Sequence, residues 1–120
     1  MIVLSELVFD ELIAGTSSIW YTSDELNETL GAPDWFVLFA SARDVSGSSP
    51  VLKVFVQKSG DNQHWYHNAL VPIINGSISE GTVRTGQASG PSQQFRRLRI
   101  TLEGGSPKCR LKLHVTGRQA

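Results

Sequence analysis

The residues best equipped for chemistry gather in the run SGDNQHW (59–65), where Asp61, Asn62 and His64 precede Trp65 and His67 follows two residues later. A carboxylate, two imidazoles and an aromatic platform could hold a divalent cation or orient a general base. On an extended strand, however, positions three apart point to opposite faces, so His64 and His67 cannot share an ion without a bulge. Gly60, Asp61 and Asn62 are equally the residues a tight turn requires, because glycine accepts any φ and short polar side chains bond to their own backbone. The stretch therefore reads as a turn, and no metal or other cofactor is expected.

Other reactive constellations are poorer. Nucleophilic catalysis needs a Ser, Thr or Cys held against an oriented base, yet the serines concentrate in turn-like clusters and no Gly-x-Ser-x-Gly elbow occurs. The carboxylates Glu6, Asp10, Glu11, Asp24, Glu25 and Glu28 could pair as in a glycosidase, but they read as solvated charge. Phosphate-loop and dinucleotide fingerprints are missing. No enzyme is expected. The cluster RRLR (96–99) places Arg97 and Arg99 on one strand face and Arg96 beside Leu98 on the other, and the exposed arginines are expected to pair with acids such as Glu103 or Asp44. Trp20 and Tyr21 in SSIWYTS, and Trp35 in APDWFVL, stand outside long apolar alternation. They can pack at the rim of a core, anchor a protein partner, or stack on a sugar.

The elements that would position these residues are strands. Apolar side chains recur with period two between clusters of Gly, Ser, Pro and Asn. Leu52, Val54 and Val56 share one face of VLKVFVQKS, and Cys109, Leu111, Leu113 and Val115 share one face of CRLKLHV. Segment 34–45 alternates Phe36, Leu38, Ala40 and Ala42 against Val37, Phe39, Ser41 and Arg43, while 95–103 sets Leu98, Ile100 and Leu102 inward. Segments 2–13, 63–74 and 78–85 are further strand candidates. Residues 22–31 read either as a helical turn, with Thr22 and Glu25 at capping-box spacing, or as an irregular strand.

The runs GSSPVLKVFVQ (47–57) and GGSPKCRLKLHV (104–115) repeat a Gly-x-Ser-Pro turn before an alternating strand. Each follows another strand, so two hairpins of one design are expected. A two- or four-residue loop after 58 would set Val56 opposite Trp65 and Phe55 opposite Tyr66, placing Trp65 in the core. A three-residue loop would reverse those faces.

The 120 residues suit a single domain, 1–120, burying roughly two-thirds of the unfolded surface. The expected architecture is an all-β antiparallel β-sandwich, jelly-roll-like, of about seven or eight strands. The 11 basic and 11 acidic residues cancel, which argues against nucleic acid and against an anionic membrane as partners. Cys109 stands alone and reads as a small buried thiol. The opening residues MIVLSELVFDELIAG are broken by Glu6, Asp10 and Glu11, so neither a signal peptide nor a membrane span is expected, and synthesis in a cytoplasm is.

The ensemble ARDVSGSSPVLKVFVQKSGDNQHW followed by FRRLRITLEGGSPKCRLKLHVTG resembles small β-sandwich proteins encoded in tailed-phage and prophage structural gene clusters. The positions that carry it are Val45, Ser46, Gly47, Ser49, Pro50, Ser59, Asp61 and Trp65, then Arg97, Arg99, Gly105, Ser106, Pro107 and Gly117. The match spans about residues 36–117; Asn62 stands where the pattern more often has Gly, and the first 35 residues match less well. This resemblance implies a non-enzymatic virion accessory protein, such as a capsid decoration or head- or tail-associated subunit, binding a phage capsid or tail protein and assembling with its own copies as a homo-oligomer. Exposed apolar residues suit such adhesion, and Ile2, Leu4, Val8, Trp20, Tyr21 and Trp35 are the expected contact residues, with Phe39 and Phe55 as further non-core apolar positions. The alternative is a carbohydrate-binding module using Trp20, Trp35 or Tyr21 as a stacking platform.

Overall fold

A computed structural model describes residues 2–16, 18–22, 35–61, 63–67, 72–89 and 95–119, with the side chains of 2–6, 67, 88–89, 95 and 118–119 left outside the description. The strands among the described residues are β1 (Ile2–Ala14), β2 (Ile19–Tyr21), β3 (Trp35–Ser59), β4 (Tyr66–His67), β5 (Ile74–Ser77), β6 (Val83–Ser89) and β7 (Phe95–Gln119). All of their pairings are antiparallel. The chain is an all-β antiparallel sandwich. The proposed helical turn at 22–31 lies outside the described residues apart from Thr22, which is buried beside β7 and exchanges hydrogen bonds with Leu98 through its amide (3.1 Å) and its hydroxyl (3.0 Å).

Two long strands, β3 and β7, run antiparallel along their whole length, and each bends in the middle. Their outer ends pair from Trp35↔Arg118 to Arg43↔Arg110, and their inner ends from Val51↔Glu103 to Ser59↔Phe95. The first pair of segments is flanked by β1 on β7 and by β6 on β3, which makes one layer. The second is flanked by β2 on β7 and by β4 and β5 on β3, which makes the other. The inward side chains of both layers merge into one cluster, with Phe36, Leu38, Ala40, Leu111, Leu113 and Val115 from the first layer and Leu52, Val54, Val56, Leu98, Ile100 and Leu102 from the second. Period two thus located the inward faces of β3 and β7 correctly.

The Gly-x-Ser-Pro repeats are not hairpin turns. They are the two bends, and they face one another, with Ser48 paired to Gly105. Gly47 and Gly104 take φ of 107° and 129°, while Ser49 and Ser106 sit at 50° and 48°. A Cβ on Gly47 would stand 2.6 Å from the Ser106 carbonyl oxygen, and one on Gly104 would stand 2.7 Å from that of Ser48. Pro50 and Pro107 are buried, and their carbonyls accept from Ile78 and Gly15, each at 3.0 Å. The echo in the sequence is therefore a local two-fold in space: each glycine lets the opposite backbone approach, and each proline starts the strand segment that crosses into the other layer.

Candidate functional site

The turn at 59–65 is organised by one carboxylate. Asp61 Oδ1 accepts from the Ser59 hydroxyl and from the Gln63 and His64 amides, all at 2.9 Å, and Oδ2 lies 2.6 Å from His64 Nδ1. The His64 amide and ring, then the Gln63 amide and the Ser59 hydroxyl, hold the Asp61 carboxyl well below the usual carboxylate range. An imidazole oriented by a carboxylate is half of a catalytic arrangement. Among the described residues the shallow hollow beside it is lined by Gly60, Asp61, His64 and Tyr66. Among the described residues no group of three His, Cys, Asp or Glu side chains is placed to hold a metal ion.

Because Asp61 gathers so many donors, the loop is longer than a two- or four-residue turn. Lys58 pairs with Tyr66, and Gln57 with His67. An odd number of residues intervenes, and the faces are reversed. Val56 does not oppose Trp65, nor Phe55 Tyr66. Trp65 lies outside the core, half-buried, with its ring 4.4 Å from the Arg97 guanidinium carbon.

This displacement assembles the outer face of the second layer. Across β2, β7 and β3 the registers align Tyr21 with Arg99 and Phe55, and Ile19 with Thr101 and Lys53. The Arg97 guanidinium is held between Tyr21, 4.0 Å away, and Trp65, and its Nε donates to Gln57 Oε1 at 2.8 Å. Arg99 lies 5.6 Å from the Phe55 ring centre. Glu103 pairs with Lys53 at 3.1 Å, so the acid expected to balance an arginine balances a lysine instead. A groove of about 270 Å³ runs along this face, lined by Thr16, Ser18, Ile19, Lys53, Phe55, Arg99, Thr101 and Glu103. Arg96 points the other way, fully buried with its guanidinium 5.8 Å from the Phe36 ring centre.

The outer face of the first layer differs. Leu7, Leu12, Phe39 and Val83 are each between 41% and 60% exposed. They are interleaved with Arg43, Lys112 and the Asp10–Arg110 pair at 3.0 Å. Arg43 sits directly opposite Arg110, an arrangement that like charges disfavour.

The expected contact residues do not form one patch. Tyr21 is 42% exposed on the second layer's outer face, whereas its neighbour Trp20 points inward and packs against the core. Trp35, the first residue of β3, is half-buried. Val8 is a correction. A bulge between Leu7 and Phe9 turns it inward, so it is 6% exposed and belongs to the core. The backbones of Ile2 and Leu4 pair with Gln119 and Gly117, and their side chains lie outside the described residues. Sequence reasoning missed Trp65, Arg97 and Arg99 as a joint surface, although the alternation in RRLR had already set both arginines outward.

Family models and curated protein sequences give no match to this chain. Solved structures do. The CBM22-1–GH10 modules of Clostridium thermocellum endo-1,4-β-D-xylanase 10B, complexed with xylohexaose, align over 98% of this chain with a TM-score of 0.65 and 12% identity. The PBSX exported protein XepA aligns over 98% with a TM-score of 0.60 and 14% identity. The CBM22-1 xylan-binding domain of Paenibacillus barcinonensis Xyn10C aligns over 97% of both chains with a TM-score of 0.55 and 12% identity. The present chain spans 26% of the first of these proteins and 37% of the second. At such identities the likeness establishes the fold, a β-sandwich common to carbohydrate-binding modules and to a PBSX exported protein.

Proposed function

We propose that this chain is a non-enzymatic structural protein of a phage virion, a decoration or stabilising subunit that docks on the major capsid protein through the outer face of its first layer. The observation that carries this reading is the exposure of Leu7, Leu12, Phe39 and Val83 on one face, beside Arg43 and Lys112, which have no ion pair among the described residues. Large apolar side chains grouped on one surface mark a protein contact. The basic groups among them favour an acidic partner surface and disfavour random association. The resemblance over residues 36–117 and the fold shared with XepA support the same setting. Repetition over a symmetric shell lets modest contacts add to firm attachment, whether the subunit binds alone or as an oligomer. The test is co-sedimentation with particles induced from a strain that carries the coding sequence. Wild-type protein is expected to pellet with particles, and Phe39→Ser with Val83→Ser to remain in the supernatant while staying folded. Equal pelleting of the double variant, or no pelleting of the wild type, would overturn this reading.

A second reading rests on the other face. Tyr21, Phe55 and Trp65 lie near Arg97, Arg99, Thr101 and Glu103, so aromatic rings and polar groups share one outer face. That is the arrangement a saccharide-binding module uses, and two of the solved structures with this fold are CBM22 modules. The second reading places glycan on this layer and needs no contact from Trp20 or Trp35.

A further inference from the structure

We infer that the groove on the second layer takes a carboxylate-bearing oligosaccharide, a glycuronan segment, with Arg99 as the group that reads the carboxylate. This rests on the second reading above and adds the charge and the subsite. The charged side chains described on this face are Lys53, Arg97 and Arg99 against Glu103. Glu103 is engaged by Lys53, and Arg97 by Gln57 and two rings. Arg99 differs, because the described contact of its guanidinium is the distant Phe55 ring, and it lines the groove directly. A guanidinium so placed presents its planar fork to a carboxylate, which it can hold by two parallel hydrogen bonds.

The rest of the groove suits a sugar ring. Phe55 lines it with an apolar ring beside Arg99, against which the C–H side of a pyranose can pack, and Thr16, Ser18 and Thr101 offer hydroxyls that both donate and accept. Neighbouring strands lie roughly 4.8 Å apart, so Tyr21 and Phe55, flanking Arg99 across β2, β7 and β3, are about 10 Å apart. That span accommodates more than one sugar unit. An acidic peptide fits less well. The floor of the groove is β7, hydrogen-bonded to β3 on one side and to β2 on the other, so β7 itself offers no free edge for strand addition.

Calorimetric titration of the intact chain with hexagalacturonate, cellohexaose and hexaglutamate tests the inference. Hexagalacturonate is expected to bind, Arg99→Gln and Phe55→Ala each to weaken it at least tenfold, and Lys108→Gln, on the opposite layer, to leave it unchanged; circular dichroism and melting confirm that each variant is folded. Cellohexaose binding as tightly as hexagalacturonate would overturn the carboxylate assignment while upholding the saccharide reading. No binding of either sugar would overturn both. Hexaglutamate binding at least as tightly as hexagalacturonate, or hexagalacturonate binding that survives Arg99→Gln, would overturn the inference at this site.

Discussion

Replacing Gly47 with alanine puts the facing bends to the test. At φ of 107° a Cβ brings its own cost, about 1–2 kcal/mol for a left-handed L-residue. The new methyl would also stand 2.6 Å from the Ser106 carbonyl oxygen, 2.8 Å from that of Gly105 and 2.8 Å from Pro107 Cα. All three are backbone atoms that cannot rotate away, so the bends must separate, an overpacking cost of about 1–3 kcal/mol. The sum is about 2–5 kcal/mol, a large part of the roughly 5–15 kcal/mol typical of a domain. Gly104→Ala meets Ser48 and Ser49 carbonyls and Pro50 Cα in the mirrored arrangement and is expected to lose a similar amount. Gly60→Ala, with open space around its Cβ and no left-handed φ, is expected to be neutral or to gain about 0.4–1 kcal/mol. Equilibrium unfolding in urea, followed by tryptophan fluorescence, reads these as shifts in midpoint at constant slope. The Gly47/Gly104 double variant should lose less than the sum, because one separation relieves both clashes. Wild-type midpoints for Gly47→Ala and Gly104→Ala, or a loss in Gly60→Ala equal to theirs, would refute the idea that the repeats are mutually packed corners.

Arg97→Ala removes two ring contacts, each worth about 0.5–1 kcal/mol, and strips the buried Gln57 amide of a partner, so a loss of about 2–3 kcal/mol with altered Trp65 emission is expected in the same unfolding assay. For Asp61 the folded carboxyl lies below its ordinary value of 3.8, so its stabilisation is complete above that pH and is lost as pH falls through and below it. Melting curves of Asp61→Asn should therefore fall below the wild type at pH 7 and converge with it toward pH 2; a constant gap would contradict the carboxylate as organiser of the turn. Burial pushes the Cys109 thiol up to about 11, so thiol reagents at pH 7.5 should label the native protein only at its unfolding rate, and immediate labelling would show the core around β7 to be open.

The inward residues were legible because period two is a local property. Leu98, Ile100, Leu102, Cys109, Leu111 and Leu113 are buried where alternation put them. What alternation cannot convey is what lies across from a turn. Gly-x-Ser-Pro supplies left-handed backbone and a strand start, and the same grammar serves a reversal or a bend. Here a second copy of the motif faces it and makes it a bend. The bulge that buries Val8 arises from pairing with β7 and leaves no mark in the alternation of β1. The candidate face of the second layer was half-legible. Arg97 and Arg99 were set outward by their spacing, but Trp65 joined them only because Asp61 collects donors from Ser59, Gln63 and His64 and lengthens the loop, which inverts the faces beyond it.

Side-chain footprinting of the chain on and off purified particles reads out which face attaches. Attachment through the first layer predicts that Leu7, Leu12, Phe39 and Val83 lose reactivity on particles while Tyr21 and Tyr66 keep theirs. Protection of Tyr21 and Tyr66 with Phe39 and Val83 still reactive, or no protection anywhere, would contradict it.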